Sequence, residues 1–125
     1  MPKIQVRFGA IHGLVNNAGV TADGLIMRMS PETWRKPLAV NLDGTFYFTR
    51  AVTPIMMRAR EGRIVNISSV AGKRAIPLGG VAYNASKFAM TALGTCVGLE
   101  EAEHGIRVTN IYPGEIDTPI RLSCL

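Results

Sequence analysis

Arg63-Ile64-Val65-Asn66-Ile67-Ser68 is a mostly apolar, β-branched run that follows the break at Glu61-Gly62, and it reads as a strand. Upstream, residues 11–15 form a second short apolar run ending in Asn16-Asn17-Ala18-Gly19, the pattern of a buried parallel strand entering a tight turn. Downstream, residues 106–112 give a third strand halted by Pro113-Gly114. Helical signals fill both gaps. Ser30-Pro31-Glu32 supplies an N-cap hydroxyl, a proline at the first helical position and a carboxylate near the positive end of the dipole, so a helix is predicted from there to about Arg60. Pro37 and Pro54 each remove a backbone donor and crowd the preceding turn, at about 3 kcal/mol in a regular interior. Either that helix kinks at both prolines, or a short helix stops at Lys36 and a second begins there. After a loop over residues 70–81, Ala82, Ala85, Ala89, Leu93, Cys96 and Val97 recur at helical spacing until Gly105 supplies a stop. Strand, helix, strand, helix, strand is the order that builds a parallel sheet with right-handed crossovers and helices on both faces.

Composition bounds what such a domain does. With 125 residues, 47% hydrophobic and 18% charged, the chain has room for one globular domain over residues 1–125 and no more. The net charge is +5, but Arg28, Arg35, Lys36, Arg50, Arg58, Arg60, Arg63, Lys73 and Arg74 are scattered without a basic run. That scatter argues for solvated surface and against nucleic acid, and leaves an anionic ligand as the alternative source of the bias. Cys96 lies in an apolar helical run and reads as a buried reduced thiol, which fits a reducing cytoplasm. No stretch of eighteen uninterrupted apolar residues occurs and the first residues lack a signal-peptide pattern, so a soluble protein without a membrane partner is expected.

The chemistry lies in Tyr83-Asn84-Ala85-Ser86-Lys87. A phenol is a poor acid near neutrality, and an ammonium four residues on shares its helical face and favours phenolate. Ser69, in the turn after the second strand, is placed to donate to a substrate carbonyl oxygen, with Ser68 as its competitor. Asn41 interrupts a helical stretch, where its amide either bends the backbone or binds water.

Taken in order, Asn16-Asn17-Ala18-Gly19, Val40-Asn41-Leu42-Asp43-Gly44, Ile64-Val65-Asn66-Ile67-Ser68-Ser69, Tyr83-Asn84-Ala85-Ser86-Lys87 and Pro113-Gly114 resemble the short-chain dehydrogenase/reductase family, most closely its 3-oxoacyl-carrier-protein-reductase-like members. The resemblance implies a Rossmann-like, doubly wound parallel sheet in three α/β/α layers, and hydride transfer between NADP or NAD and a ketone or secondary alcohol, with an acyl-carrier-bound substrate as one form. It assigns Tyr83 as acid/base, Lys87 as the cation that tunes it and holds the ribose, Ser69 as carbonyl donor and Asn41 as the holder of a relay water. It places Asn17, Ala18 and Gly19 beside the adenosine half of the cofactor, and Pro113, Gly114, Ile116 and Thr118 around the nicotinamide and phosphates. It asks for no metal, and it implies a homo-oligomer joined through the helices over residues 31–60 and 82–104.

The sequence also departs from the family. Its glycine-rich phosphate loop, Thr-Gly-x-x-x-Gly-x-Gly, has no counterpart here, so the chain looks like the catalytic middle of a reductase, an incomplete domain expected to be inactive alone. Ser69 precedes Tyr83 by fourteen residues where thirteen is typical of the family. Two other readings stay open: a noncatalytic α/β fragment that associates with a full-length relative, and an epimerase or dehydratase of the extended branch.

Overall fold

The computed structural model describes residues 10–17, 19–22, 24–76 and 80–114. Strands β1 (Gly13–Asn16), β2 (Gly62–Ile67) and β3 (Ile106–Ile111) form a parallel sheet in the order β1-β2-β3. Each begins or ends within two residues of the run that announced it. Between β1 and β2 lie helix α1 (Pro31–Pro37), a π-helical segment (Leu38–Asp43) and helix α2 (Gly44–Ala59). Between β2 and β3 lie a short 3-10 turn (Val70–Gly72) and helix α3 (Gly80–Glu101), which tails into a second 3-10 turn (Ala102–His104).

The start of α1 follows its sequence signal: Ser30 Oγ accepts the Thr33 N–H at 3.1 Å, with Pro31 next in the chain. Pro37 does something neither sequence alternative foresaw. The chain stays helical, but the turn widens, and the Gly44 N–H reaches back five residues to the Ala39 carbonyl. Pro37 has no N–H to give and its ring crowds the turn before it, and the wider turn that follows accommodates the fault. Past it, α2 runs through Pro54 as one helix and closes on Arg60, whose φ of 56° is left-handed. Gly105 closes the 3-10 turn at φ 79°, and a Cβ there would run into the Arg60 carbonyl, so the two turns abut only because one is glycine.

Both long helices cover the same face of the sheet. Met56 of α2 lies against Gly62 of β2, and Gly94 of α3 lies against Asn66 and Asn110 of β2 and β3. Successive right-handed crossovers to the next strand in one direction put both helices on one side. The described residues thus form two layers of the expected three. The core is Val52, Met56, Ile64 and Ile106, with Leu14, Met57 and Val108 against it. On the other face Val15 is 62% and Ile111 43% exposed.

The apolar stripe read along α3 coincides with its buried face only at Ala82. Ala82, Asn84, Ser86, Lys87, Met90 and Gly94 are the buried positions. Cys96, expected to be buried, is exposed, because Gly94 two residues before it already faces the sheet and the helix turns Cys96 to the far side.

Candidate active site

Each strand carries an asparagine near its C-terminal end, and the register aligns them: Asn16 with Asn66, and Asn66 with Asn110. Asn16 Nδ2 donates to Asn66 Oδ1 at 2.8 Å, Asn66 Nδ2 to Asn110 Oδ1 at 3.2 Å, and Asn110 Nδ2 to the Thr91 carbonyl of α3 at 3.2 Å. Buried amides must find partners, and this row satisfies them across the sheet while seating the middle of α3 on it. The sequence held the signal, an asparagine in each strand, but a strand-by-strand reading does not reveal that the three share a register.

Above this row stands Lys87. Its side chain is nearly buried, and Nζ donates to the Ile67 carbonyl at 3.0 Å at the end of β2. Desolvation lowers its pKa from 10.5 to about 8. Nζ lies 5.7 Å from the centre of the Tyr83 ring, one turn back along α3. Gly19 borders the same point: a Cβ there would meet Asn41 Oδ1 at 3.4 Å and Lys87 Nζ at 3.6 Å.

Asn41 is fully buried in the π-helical segment. Its Oδ1 accepts the Val20 N–H at 2.8 Å, and its Nδ2 donates to the Val20 carbonyl at 3.0 Å and to Ser86 Oγ at 3.0 Å. Both amide hydrogens are thereby used, so a water at Asn41 would be held by an oxygen lone pair. Ser86, which the sequence reading passed over, links the two regions: its Oγ also donates to the Tyr83 carbonyl at 2.7 Å.

The two serines divide. Ser68 is buried, with Oγ 3.4 Å from both the Lys87 carbonyl and Thr91 Oγ1, and its N–H donates to the Ile111 carbonyl at 2.8 Å. Ser69 is half-buried in the turn after β2, and its Oγ accepts the Ala71 N–H at 3.1 Å. Among the described residues the Ser69 and Tyr83 hydroxyl hydrogens have no acceptor. Asn17 is exposed just past β1, Pro113 is half-buried and Gly114 exposed past β3. Ala18, Ile116 and Thr118 lie outside the described residues.

The structure thus brings Gly19, Asn41, Tyr83 and Lys87 together at the C-terminal edge of a parallel sheet, where open α/β sheets bind ligands. Lys87 has three N–H donors, and among the described residues one goes to the Ile67 carbonyl and one weakly to Met90 Sδ at 4.0 Å, so the buried ammonium retains a donor for a hydroxyl such as that of a ribose. That donor set, with Gly19 and Asn41 beside it, fits the hydroxyls of a dinucleotide.

A family profile described as short chain dehydrogenase matches residues 1–124, and the chain belongs to that family. It is 42% identical over 118 residues to the 3-oxoacyl-[acyl-carrier-protein] reductase FabG of Thermotoga maritima, covering 94% of this chain and 48% of that protein. Among solved structures it resembles a gluconate 5-dehydrogenase from Burkholderia cenocepacia in complex with NADP and tartrate, with a TM-score of 0.93 and 33% identity over 98% of this chain and 48% of that one. It also resembles ElxO with NADP bound, with a TM-score of 0.90 and 32% identity over 98% of this chain and 49% of that one. The chain spans about half the length of the relatives it matches. Among the described residues no helix is long and apolar enough to cross a membrane.

Proposed function

We propose that this chain carries the proton-transfer half of an NAD(P)-dependent reductase acting on a ketone or secondary alcohol, of the 3-oxoacyl type, with the substrate presented on an acyl carrier. The observation that carries the reading is the buried Lys87 ammonium, held at the end of β2 and 5.7 Å from the Tyr83 ring, with Gly19 and Asn41 beside it. The nicotinamide group supplies hydride when bound. Tyr83 gives a proton to the carbonyl oxygen or takes one from the alcohol, and Ser69, whose O–H has no acceptor among the described residues, donates to the same oxygen. Lys87 binds the ribose hydroxyls and keeps positive charge near the phenol. Asn41 holds water through oxygen at the inner end of that path. Asn17, Ala18 and Gly19 on one side, and Pro113, Gly114, Ile116 and Thr118 on the other, are the proposed cofactor contacts, with Tyr83 and Lys87 between them.

The glycine-rich phosphate loop is not among these residues, so the chain by itself is proposed to bind cofactor poorly and to be inactive. Fluorescence titration with NADPH and with NADH tests this on two forms: the chain alone, and the chain spliced in place of the matching half of the Thermotoga maritima reductase. Saturable binding by the spliced form, weakened at least about tenfold by Lys87→Ala, is expected, a difference of about 1.4 kcal/mol. Equal binding with and without Lys87 would contradict the assignment.

A second reading, a noncatalytic fragment acting by association, draws on the exposed Phe46, Tyr47 and Phe48 of α2 and the open sheet face at Val15 and Ile111. Both surfaces are apolar enough to seek a partner.

A further inference from the structure

Asn84 follows Tyr83 in the chain and is 8% exposed. Its carboxamide is engaged entirely by the backbone that enters α3. Oδ1 accepts the Ile76 N–H at 2.8 Å, and Nδ2 donates to the Ile76 carbonyl at 2.9 Å and the Gly80 carbonyl at 2.7 Å. A residue gripped at both its N–H and its C=O is held as a strand neighbour would hold it. At the other end of the same segment, Thr91 Oγ1 lies 3.2 Å from the Gly72 carbonyl and 3.1 Å from the Lys87 carbonyl, and shares its one hydrogen between them. Asn84 and Thr91 lie about two helical turns, or about 10 Å, apart along α3. The stretch from Gly72 to Ile76 is therefore fastened to α3 at two points as it runs from the Ser69 turn back towards Tyr83.

We propose that Asn84 is a positioning residue: its double grip on Ile76 seats the Ser69 segment against the Tyr83 turn and so sets the separation of the two hydroxyls. The inference rests on the proposed roles of Ser69 and Tyr83.

The test is Asn84→Asp, which keeps the shape and one acceptor but, when ionised, faces two carbonyls with no hydrogen to offer either. In the 125-residue chain, backbone amide exchange by NMR is expected to show Ile76 protected at least about tenfold more than Arg74, whose N–H has no partner among the described residues. In Asn84→Asp repulsion between the carboxylate and the Ile76 and Gly80 carbonyls is expected to open the clasp at about pH 7, so that this protection falls although an acceptor oxygen remains. The repulsion relaxes as pH is lowered and the carboxyl, held above its usual range by burial, takes up a proton. In the spliced reductase the same variant lowers kcat by about 10- to 100-fold with KM for NADPH unchanged, and the deficit shrinks as pH falls. Ile76 exchanging as fast as Arg74, or a lowered melting temperature with kcat intact, would overturn the proposal. A spliced wild type that binds NADPH but does not turn over, beside a protected Ile76, would refute the catalytic roles of Ser69 and Tyr83 and with them the positioning role, while leaving the clasp itself standing.

Discussion

At the scale of single residues, Lys87 has the largest measurable consequence. Burial disfavours its charged form, and the fall from 10.5 to about 8 corresponds to a penalty of about 3 kcal/mol on the folded state wherever the group is charged in both states. That penalty is full below about pH 8. Between about 8 and 10.5 the unfolded chain holds the extra proton, so stability rises with pH, and above 10.5 the penalty is gone. Lys87→Met removes the titration, so its stability relative to wild type should fall by about 3 kcal/mol between about pH 7 and the top of that window in urea melts. A difference independent of pH would contradict a buried ammonium. Keeping a charge in so unfavourable a place fits a site that uses it, since strongly perturbed groups gather where chemistry is done.

At the scale of elements, the seating of α3 on the sheet decides whether Tyr83 and Lys87 face the strand ends. A Cβ on Gly94 would run into the side chains of Asn110 and Asn66, whereas one on Gly98 would meet Val108 at an ordinary 3.6 Å. Gly94→Ala should therefore cost about 1–3 kcal/mol by overpacking, while Gly98→Ala should be neutral or stabilising by up to about 1 kcal/mol from helix propensity. Denaturant melts of the two variants check the contrast, and equal effects would contradict the fit described for α3. The strands, the Ser30 cap and the Gly105 stop were legible because each rests on local chemistry. The π-helical widening after Pro37 was not, since proline announces a fault but not how the chain absorbs it. Nor was the buried face of α3: Ser86, Lys87 and Asn84 are held inside by hydrogen bonds to Asn41, Ile67 and Ile76, all outside the helix, so a search for apolar spacing settled on the alanine stripe and on Cys96 instead. Of the site, the residue types of Tyr83, Lys87, Asn41 and Gly19 could be read directly. The commitment of the Asn41 amide to Val20, and the linking role of Ser86, needed coordinates.

At the scale of the whole molecule, two apolar surfaces face outward. Phe46, Tyr47, Phe48, Val81 and Phe88 are exposed along the helices, and the sheet face opposite them, over which no helix lies among the described residues, presents Val15 and Ile111. Self-association through the helices is the expected outcome, so sedimentation velocity should show a dimer or larger species. Replacing Phe46 and Phe48 by Asp should shift the population toward monomer, and a wild-type chain that sediments as a monomer would contradict it. Phe46 and Phe48 lie on α2 and Tyr83 and Lys87 on α3, so association through α2 and the proposed catalysis can be tested by separate mutations. The most direct test of the catalytic account is the rate of ketone-dependent NADPH oxidation by the chain spliced to the glycine-rich half of the Thermotoga maritima reductase, with and without Tyr83→Phe. Turnover that falls about 100-fold or more in the Tyr83→Phe form, with NADPH binding retained, is the expected result; turnover unchanged by that substitution would contradict the assignment of Tyr83 as the proton donor.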